Sequence, residues 1–341
     1  MANEKKTVRE PSFILALVPI VAMIGFMLYC FRGHSETGYH DAHLPLVMSI
    51  IVACIVGFIC GHSFQEMLAG MVERLAASME AVLILATVGF LVTSFMLSGA
   101  IPTMIVYGLD LLTPKLFLPV GCILCAIVGM ACGSSWTTTA TIGLAFLGIG
   151  AGLGIPAPIT AGMIISGAYV GDKFSPLSDT TNLAAAVAET GLFDHVTAMV
   201  STTGPTLLLS LILYTILGLN VDTSAYDATV AEGIQEAFRS AFTISPILLL
   251  PIIVVIVMCI LRVPGLVGIA VSVATAVLFM LIFQSTDIFY SYSLGDIFDV
   301  LHYGHAVETG NAVADSILGK AKGMDGMMWT INLILVALAY G

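Results

Sequence analysis

The fold is decided by the stretch Gly171-Asp172-Lys173-Phe174-Ser175-Pro176-Leu177-Ser178-Asp179-Thr180-Thr181-Asn182. Two carboxylates, a lysine and several hydroxyl or amide side chains lie here between two apolar segments. Ionisable groups between segments of membrane-spanning character are costly, and they usually face a pathway or each other. The stretch therefore predicts a functional site inside an integral membrane protein.

Pro176 predicts the backbone of this stretch. Proline has no N–H, and inside a helix its ring clashes with the carbonyl four residues back, here that of Asp172. Ser175, which precedes the proline, is disfavoured in the α region. We therefore expect a helix to end near Phe174 and a second helix, capped by Ser178 or Asp179, to continue through Asn182. Discontinuous helices of this kind form ion and substrate sites in secondary transporters.

The two aspartates leave alternatives open. Asp179 could serve only as a helix cap, and Asp172 with Lys173 could form a structural ion pair. In an unbroken helix Asp172 and Asp179 would lie about 10 Å apart, so one ion can contact both only if the helix is broken. The residues expected to permit breaks are Pro176, Gly133 and Gly171.

A second polar interruption, Gly133-Ser134-Ser135, follows an apolar run. Glycine suits the end of one helix and serine the cap of the next. The hydroxyls of Ser134, Ser135, Thr137 and Thr138 could coordinate an ion. Alternatively, the threonines could bond their own backbone or hold helices together.

The run from Gly171 to His195, GDKFSPLSDTTNLAAAVAETGLFDH, resembles the signature of the NhaC-type sodium/proton antiporters, which include sodium-lactate/malate-proton exchangers. The segments 133–138 and 150–156 are similar to those that precede the signature in that family. The resemblance extends from about Pro11 to the last residue. It implies an all-α polytopic membrane protein, an inverted-repeat secondary transporter with discontinuous helices that exchanges Na⁺ for protons.

Composition agrees with the membrane assignment. The 341 residues are 58% hydrophobic and 10% charged, whereas soluble domains carry about 25% charged residues. The sequence has no basic patch that would indicate binding of nucleic acid. The C-x-x-C of Cys122 and Cys125 lacks the partners of a zinc site, so it indicates helix packing. We expect no cofactor and no enzymatic activity.

The order of apolar runs predicts the topology. Lys5, Lys6 and Arg9 precede the first apolar run, which predicts a multi-pass protein of the plasma membrane with a cytoplasmic N-terminus. The run from Ala81 to Leu109 is too long for one straight span, and Pro102 should break it beside Ser98-Gly99. The four glycines from Gly148 to Gly154 predict a turn.

The second half repeats the first in outline. We predict a first membrane repeat with the ion site over residues 1–219, a connecting loop over 220–240, and the start of a second, inverted repeat over 241–341. Because this second copy stops before any counterpart of the central stretch, we expect a truncated form or a half that a second chain completes in a homo-oligomer. A monomer should then not exchange ions, and it should expose a small-residue face around Gly148 to Gly162.

The expected mechanism is competition of Na⁺ and protons for carboxylates. Na⁺, like other hard cations, is bound by oxygen, and a water-poor site favours the protonated carboxyl. The predicted Na⁺ ligands are Asp172 and Asp179, with nearby polar groups on Lys173, Ser175, Ser178, Thr180, Thr181 and Asn182. The alternative is a Na⁺- or H⁺-coupled organic acid (malate or lactate) or amino-acid exchanger, whose small organic anion would bind at a half-helix N-terminus. An intramembrane hydrolase lacks support, because no histidine lies in the stretch to activate a serine.

Overall fold

The structure, a computed structural model, describes residues 9–32, 41–77, 79–175, 178, 180–181, 184–185, 188–220, 228–261, 263–284, 294–319 and 321–340. All regular structure in these residues is helical, which confirms the all-α prediction. The helices are α1 (Phe13–Arg32), α2 (His43–Cys60), α3 (Phe64–Ala77), α4 (Met79–Leu97), α5 (Ala100–Leu111), α6 (Pro114–Cys132), α7 (Ser135–Thr138), α8 (Leu144–Gly152), α9 (Ala157–Phe174), α10 (Leu192–Leu219), α11 (Ala228–Ala241), α12 (Leu250–Ile260), α13 (Gly265–Phe283), α14 (Leu294–Tyr303), α15 (Ala312–Leu318) and α16 (Asp325–Tyr340). A π-helical turn, Thr139–Gly143, joins α7 to α8, and a 3-10 turn, Pro246–Leu249, precedes α12.

Four of the described helices, α1, α2, α10 and α13, are long and apolar enough to cross a membrane. Two bent pairs, α4 with α5 and α11 with α12, bring the number to six if each pair is one span. The chain is thus a polytopic membrane protein, as the composition predicted. It divides into two compact units, residues 1–86 with 327–341 and residues 87–326.

The break between α4 and α5 bends the chain by 62° and lies at Ser98-Gly99. Gly99 has φ +81°, a left-handed conformation that glycine adopts without steric cost. Pro102, which the sequence suggested as the breaking residue, lies instead in the first turn of α5, where a missing N–H costs nothing. The amide of Gln284 donates to the carbonyl of Ser98 at 2.8 Å and accepts from the N–H of Thr243 at 3.0 Å. One buried side chain thereby satisfies backbone groups at both bends.

In the second unit, α5 is largely buried and packs against α8. Three branched side chains of these helices meet glycines of the other helix: Ile149 lies at Gly108, Ile105 at Gly148 and Leu109 at Gly152. The predicted glycine-rich turn is therefore a helix as far as Gly152, and only Gly154 has a positive φ. The predicted exposure of this small-residue face is also wrong for residues 148–153, of which only Ala151 is not buried.

Helices α6 and α9 approach so closely that no side chain fits between them at three glycines. A Cβ on Gly167 would collide with the carbonyl of Cys122, and one on Gly171 with the carbonyl of Ala126. A Cβ on Gly129 would lie 2.7 Å from the carbonyl of Ala168. Small residues at helix interfaces allow such approach in membranes. Cys122 and Cys125 are buried in this contact, which confirms their assignment to helix packing.

The connection between the predicted repeats contains a helix. Residues 228–241 form α11, whereas the sequence suggested a polar loop over 220–240. Its buried residues, Ile234 and Phe238 among them, recur every three or four positions, and its Gln235 amide donates to the Asp110 carboxylate at 2.8 Å. The acidic composition hid this periodicity because the charges lie on the outer face of the helix. The division into repeats itself stays a prediction.

We predict that Gly171→Ala destabilises the protein by about 1–3 kcal/mol, the usual range for overpacking. The new methyl group would meet backbone atoms of Ala126, Gly129 and Met130, which cannot rotate away. Thermal unfolding in detergent measures the effect. Gly25→Ala is the matched control, since a Cβ on Gly25 meets nothing within 4 Å. Equal unfolding temperatures for the two variants would contradict the packing described for α6 and α9.

Candidate ion site

The centre of the site is Asp172, in the last turn of α9. Its side chain is buried, with 6% of the residue exposed, and one carboxylate oxygen accepts a hydrogen bond from the Ser135 hydroxyl at 3.4 Å. Ser135 is the first residue of α7, so the contact joins the end of one helix to the start of another. The structure thus brings together the two polar interruptions that the sequence identified separately.

The end of α9 agrees with the prediction from Pro176. The helix stops at Phe174, and Ser175 is extended with φ −83° and ψ 124°. The Asp172 carbonyl accepts from the N–H of Ser175 at 3.2 Å and from the hydroxyl of Thr181 at 3.3 Å. A side chain from beyond the break therefore supplies a donor to a carbonyl that the helix has released.

On the far side of the break, Ser178 occupies the cap position. Its Oγ accepts from the N–H of Thr181 at 3.3 Å, and the backbone is helical at residues 180–181 and 184–185. Of the two cap candidates, Ser178 is the one whose contact is seen. Pro176, Asp179 and Asn182 lie outside the described residues, so their predicted roles stay predictions.

Lys173 turns away from Asp172 toward the second segment. Its Nζ donates to Oγ1 of Thr180 at 2.9 Å, and Thr180 is in turn 3.0 Å from the Ser178 hydroxyl. Within the part of the chain that the structure describes, Lys173 forms no ion pair, so the alternative of an Asp172–Lys173 pair is not what the structure shows. Two adjacent residues of opposite charge therefore have different polar partners.

The neighbouring segment begins as predicted. Gly133 ends α6 with a left-handed φ of 63°, and Ser134 caps α7 by accepting from the N–H of Thr137 at 3.2 Å. The hydroxyl of Thr137 donates to the Ser134 hydroxyl at 3.1 Å, and that of Thr138 to the Ser134 carbonyl at 2.9 Å. These hydrogen bonds lie within the segment itself, as one of the two alternatives had it, and coordination of an ion by these hydroxyls stays a prediction.

The site residues differ in exposure. Asp172, Ser175, Ser178 and Thr181 are buried, while Thr180 is exposed.

Sequence reasoning missed the residues that let α9 approach α6, above all Gly167. Their signal was present as the spacing Gly167-x-x-x-Gly171, a small-residue pattern typical of close helix contacts in membranes.

Comparison with known proteins identifies relatives of this chain by sequence. The profile described as the Na+/H+ antiporter family matches residues 167–341. The arginine/ornithine antiporter ArcD of Halobacterium salinarum is 35% identical over 98% of this chain and 67% of its own length. The Na(+)/H(+) antiporter NhaC of Alkalihalophilus pseudofirmus is 34% identical over 88% of this chain and 63% of its own length.

A malate-2H(+)/Na(+)-lactate antiporter of Bacillus subtilis is 31% identical over 98% of this chain and 69% of its own length. The chain thus spans about two thirds of the length of these relatives. No solved structure matches. The resemblance carried by the run from Gly171 to His195 is confirmed, and the chain belongs to the Na⁺/H⁺ antiporter family.

Proposed function

We propose that the protein exchanges Na⁺ for protons across the plasma membrane, and that Asp172 is the carboxylate for which the two ions compete. The observation that carries the proposal is the buried Asp172 carboxylate facing the Ser135 hydroxyl beside a helix end. A buried charge is costly unless it has partners. A carboxylate held in this way can be neutralised by a proton or by Na⁺. Binding of either ion makes the site electrically neutral.

The hydroxyls around Asp172 suit both states. A serine hydroxyl has one donor and two acceptor lone pairs and rotates freely. Ser135 donates to the carboxylate when no ion is bound, and it can turn a lone pair toward Na⁺ when the ion arrives. The carbonyls released at the end of α9 offer further oxygens, which hard cations prefer. Asp179 is the second carboxylate in this proposal, with Asn182 nearby in sequence.

We propose that α9 and the helical residues beyond Ser178 are two halves of one discontinuous helix. The Thr181 hydroxyl bound to the Asp172 carbonyl supports this, because it links the two halves across the break. An irregular backbone at membrane depth is tolerated where it lines a cavity, as in broken-helix transporters. The break would give the transported ion access to carbonyl oxygens that would accept backbone hydrogen bonds in an intact helix.

We also propose that the second half repeats the first in inverted orientation. In both halves a pair of packed apolar helices, α1 with α2 and α12 with α13, precedes a shorter helix of mixed character, α3 or α14. The basic residues before α1 support a cytoplasmic N-terminus.

A second candidate function is exchange of a small carboxylic acid or amino acid coupled to these ions. Lys173 favours it, because its ammonium group contacts a neutral hydroxyl, Thr180, and forms no ion pair with a described residue. The Ser178-capped helix start lies beside it, and helix N-termini favour anions. Two of the relatives are named for arginine/ornithine and malate/lactate exchange.

We predict that Asp172→Asn abolishes Na⁺-driven proton flux in proteoliposomes while membrane insertion is retained. Asparagine keeps an oxygen that can accept from the Ser135 hydroxyl, but it has no negative charge and does not titrate, so Na⁺ and protons have no carboxylate to compete for. Asp194→Asn is the matched control, because Asp194 is an exposed residue in the first turn of α10. Wild-type flux through well-inserted Asp172→Asn protein would rule out the role of Asp172.

We predict that Thr181→Val loosens the break. Valine keeps the branched shape but removes the hydroxyl that donates to the Asp172 carbonyl. Backbone hydrogen exchange over residues 175–185 should accelerate by roughly two- to tenfold, the equivalent of about 0.5–1.5 kcal/mol for one hydrogen bond. Thr202→Val, which removes an exposed hydroxyl bonded within α10, should leave this segment unchanged. The same protection in both variants would mean that Thr181 does not hold the break.

We predict that Lys173→Met separates the two candidate functions. If Lys173 binds a carboxylate, then malate, lactate, arginine or ornithine should increase ion flux in the wild type and not in the variant. Flux in the absence of these acids should persist in both. An equal response of the two proteins to every acid tested would exclude Lys173 as the anion-binding residue.

A further inference from the structure

A cavity of about 320 Å³ lies between α2, α3 and α16, within the first unit and independent of the ion site. Its walls are mostly apolar or small side chains, including Ile50, Cys54, Met71 and Leu338. One charged side chain, Arg74, lines it. A single cation beside mostly apolar walls fits a ligand with an anionic group and a hydrocarbon part.

Arg74 is available for such a ligand. Its guanidinium group forms no ion pair with any residue in the described ranges. At about 100° per residue, Arg74 lies roughly 20° from Met67 around the axis of α3, while Glu73 lies roughly 120° from Met67. The sulfur of Met67 packs on Gly57 of α2. Arg74 therefore belongs to the side of α3 that faces α2, and not to the acidic side.

The cavity is open beside Gly70. A Cβ on Gly70 would meet nothing within 4 Å, whereas one on Gly57 would collide with Met67. The outer side of α3 carries three exposed apolar residues at four-residue spacing, Phe64, Leu68 and Val72. An amphipathic helix with such a stripe lies against lipid. The stripe therefore indicates that α3 lies at the membrane surface, where the head groups of lipids are.

We infer that this cavity binds an anionic phospholipid, whose phosphate contacts Arg74 and whose acyl chain lies along α2. Arginine binds phosphate through two parallel N–H donors, and basic pockets between transmembrane helices bind anionic head groups. The methylene stem of arginine packs on apolar walls while its head group meets the phosphate. A zwitterionic lipid carries its own cationic group, which competes with Arg74 for the phosphate. A small organic anion would leave the apolar walls at Ile50 and Cys54 uncovered.

Native mass spectrometry of the purified protein, titrated with phosphatidylglycerol or phosphatidylcholine, tests the inference without any transport assay. The wild type should retain phosphatidylglycerol in preference to phosphatidylcholine. Arg74→Gln should weaken phosphatidylglycerol retention by about fivefold or more, and Arg74→Lys should keep most of it. Excess malate should not displace the lipid, and displacement would reassign the cavity to a small organic anion.

A second variant tests the cavity independently of the charge. Gly70→Leu should fill the space and displace the lipid, while Gly25→Leu, at an equally open position on α1, should not. Thermal unfolding verifies that each variant is folded. The inference is overturned if the wild type retains both lipids equally, or if Arg74→Gln and Gly70→Leu both retain phosphatidylglycerol as the wild type does.

Discussion

The backbones of α6 and α9 pass each other with no side chain between them at Gly129, Gly167 and Gly171, and the candidate site depends on this contact. Gly171 directly precedes Asp172, so the close approach fixes where the carboxylate lies. Any side chain at Gly171 would push the end of α9 away from α6 and thereby lengthen the contact with Ser135. The position of the Asp172 carboxylate thus depends on Gly171, the neighbouring residue, having no side chain.

A second constraint is that backbone groups in a membrane must find their partners within the protein. Each break in a helix releases donors and acceptors, and polar side chains take them up. Thr181 does so at the end of α9, and Gln284 does so at the bends next to Ser98 and Thr243. The polar residues at these positions therefore stabilise the helix breaks by bonding to backbone groups, besides any contact with an ion.

The sequence predicted features that depend on local sterics. The end of α9 followed from Pro176, the cap of α7 from Ser134, and the long spans from apolar length. It did not predict features that tertiary packing decides. The glycines of α8 have low helix propensity, yet the helix persists to Gly152 because branched side chains of α5 pack into their space. The hydroxyls of α7 could bond within their own segment or coordinate an ion, and composition alone did not predict the bonds within the segment that the structure shows.

The threonine-rich segment after Ser135 has a consequence for how this chain can evolve. The hydroxyls of Thr138, Thr139 and Thr141 each donate to the carbonyl four residues back, and α7 widens there into the π turn. A drift of these positions to valine or alanine would alter the helix itself, since such bonds shape helix curvature. Serine is the replacement that keeps the donor. Mutational tolerance in this segment should therefore follow hydrogen-bonding capacity more closely than size or hydrophobicity.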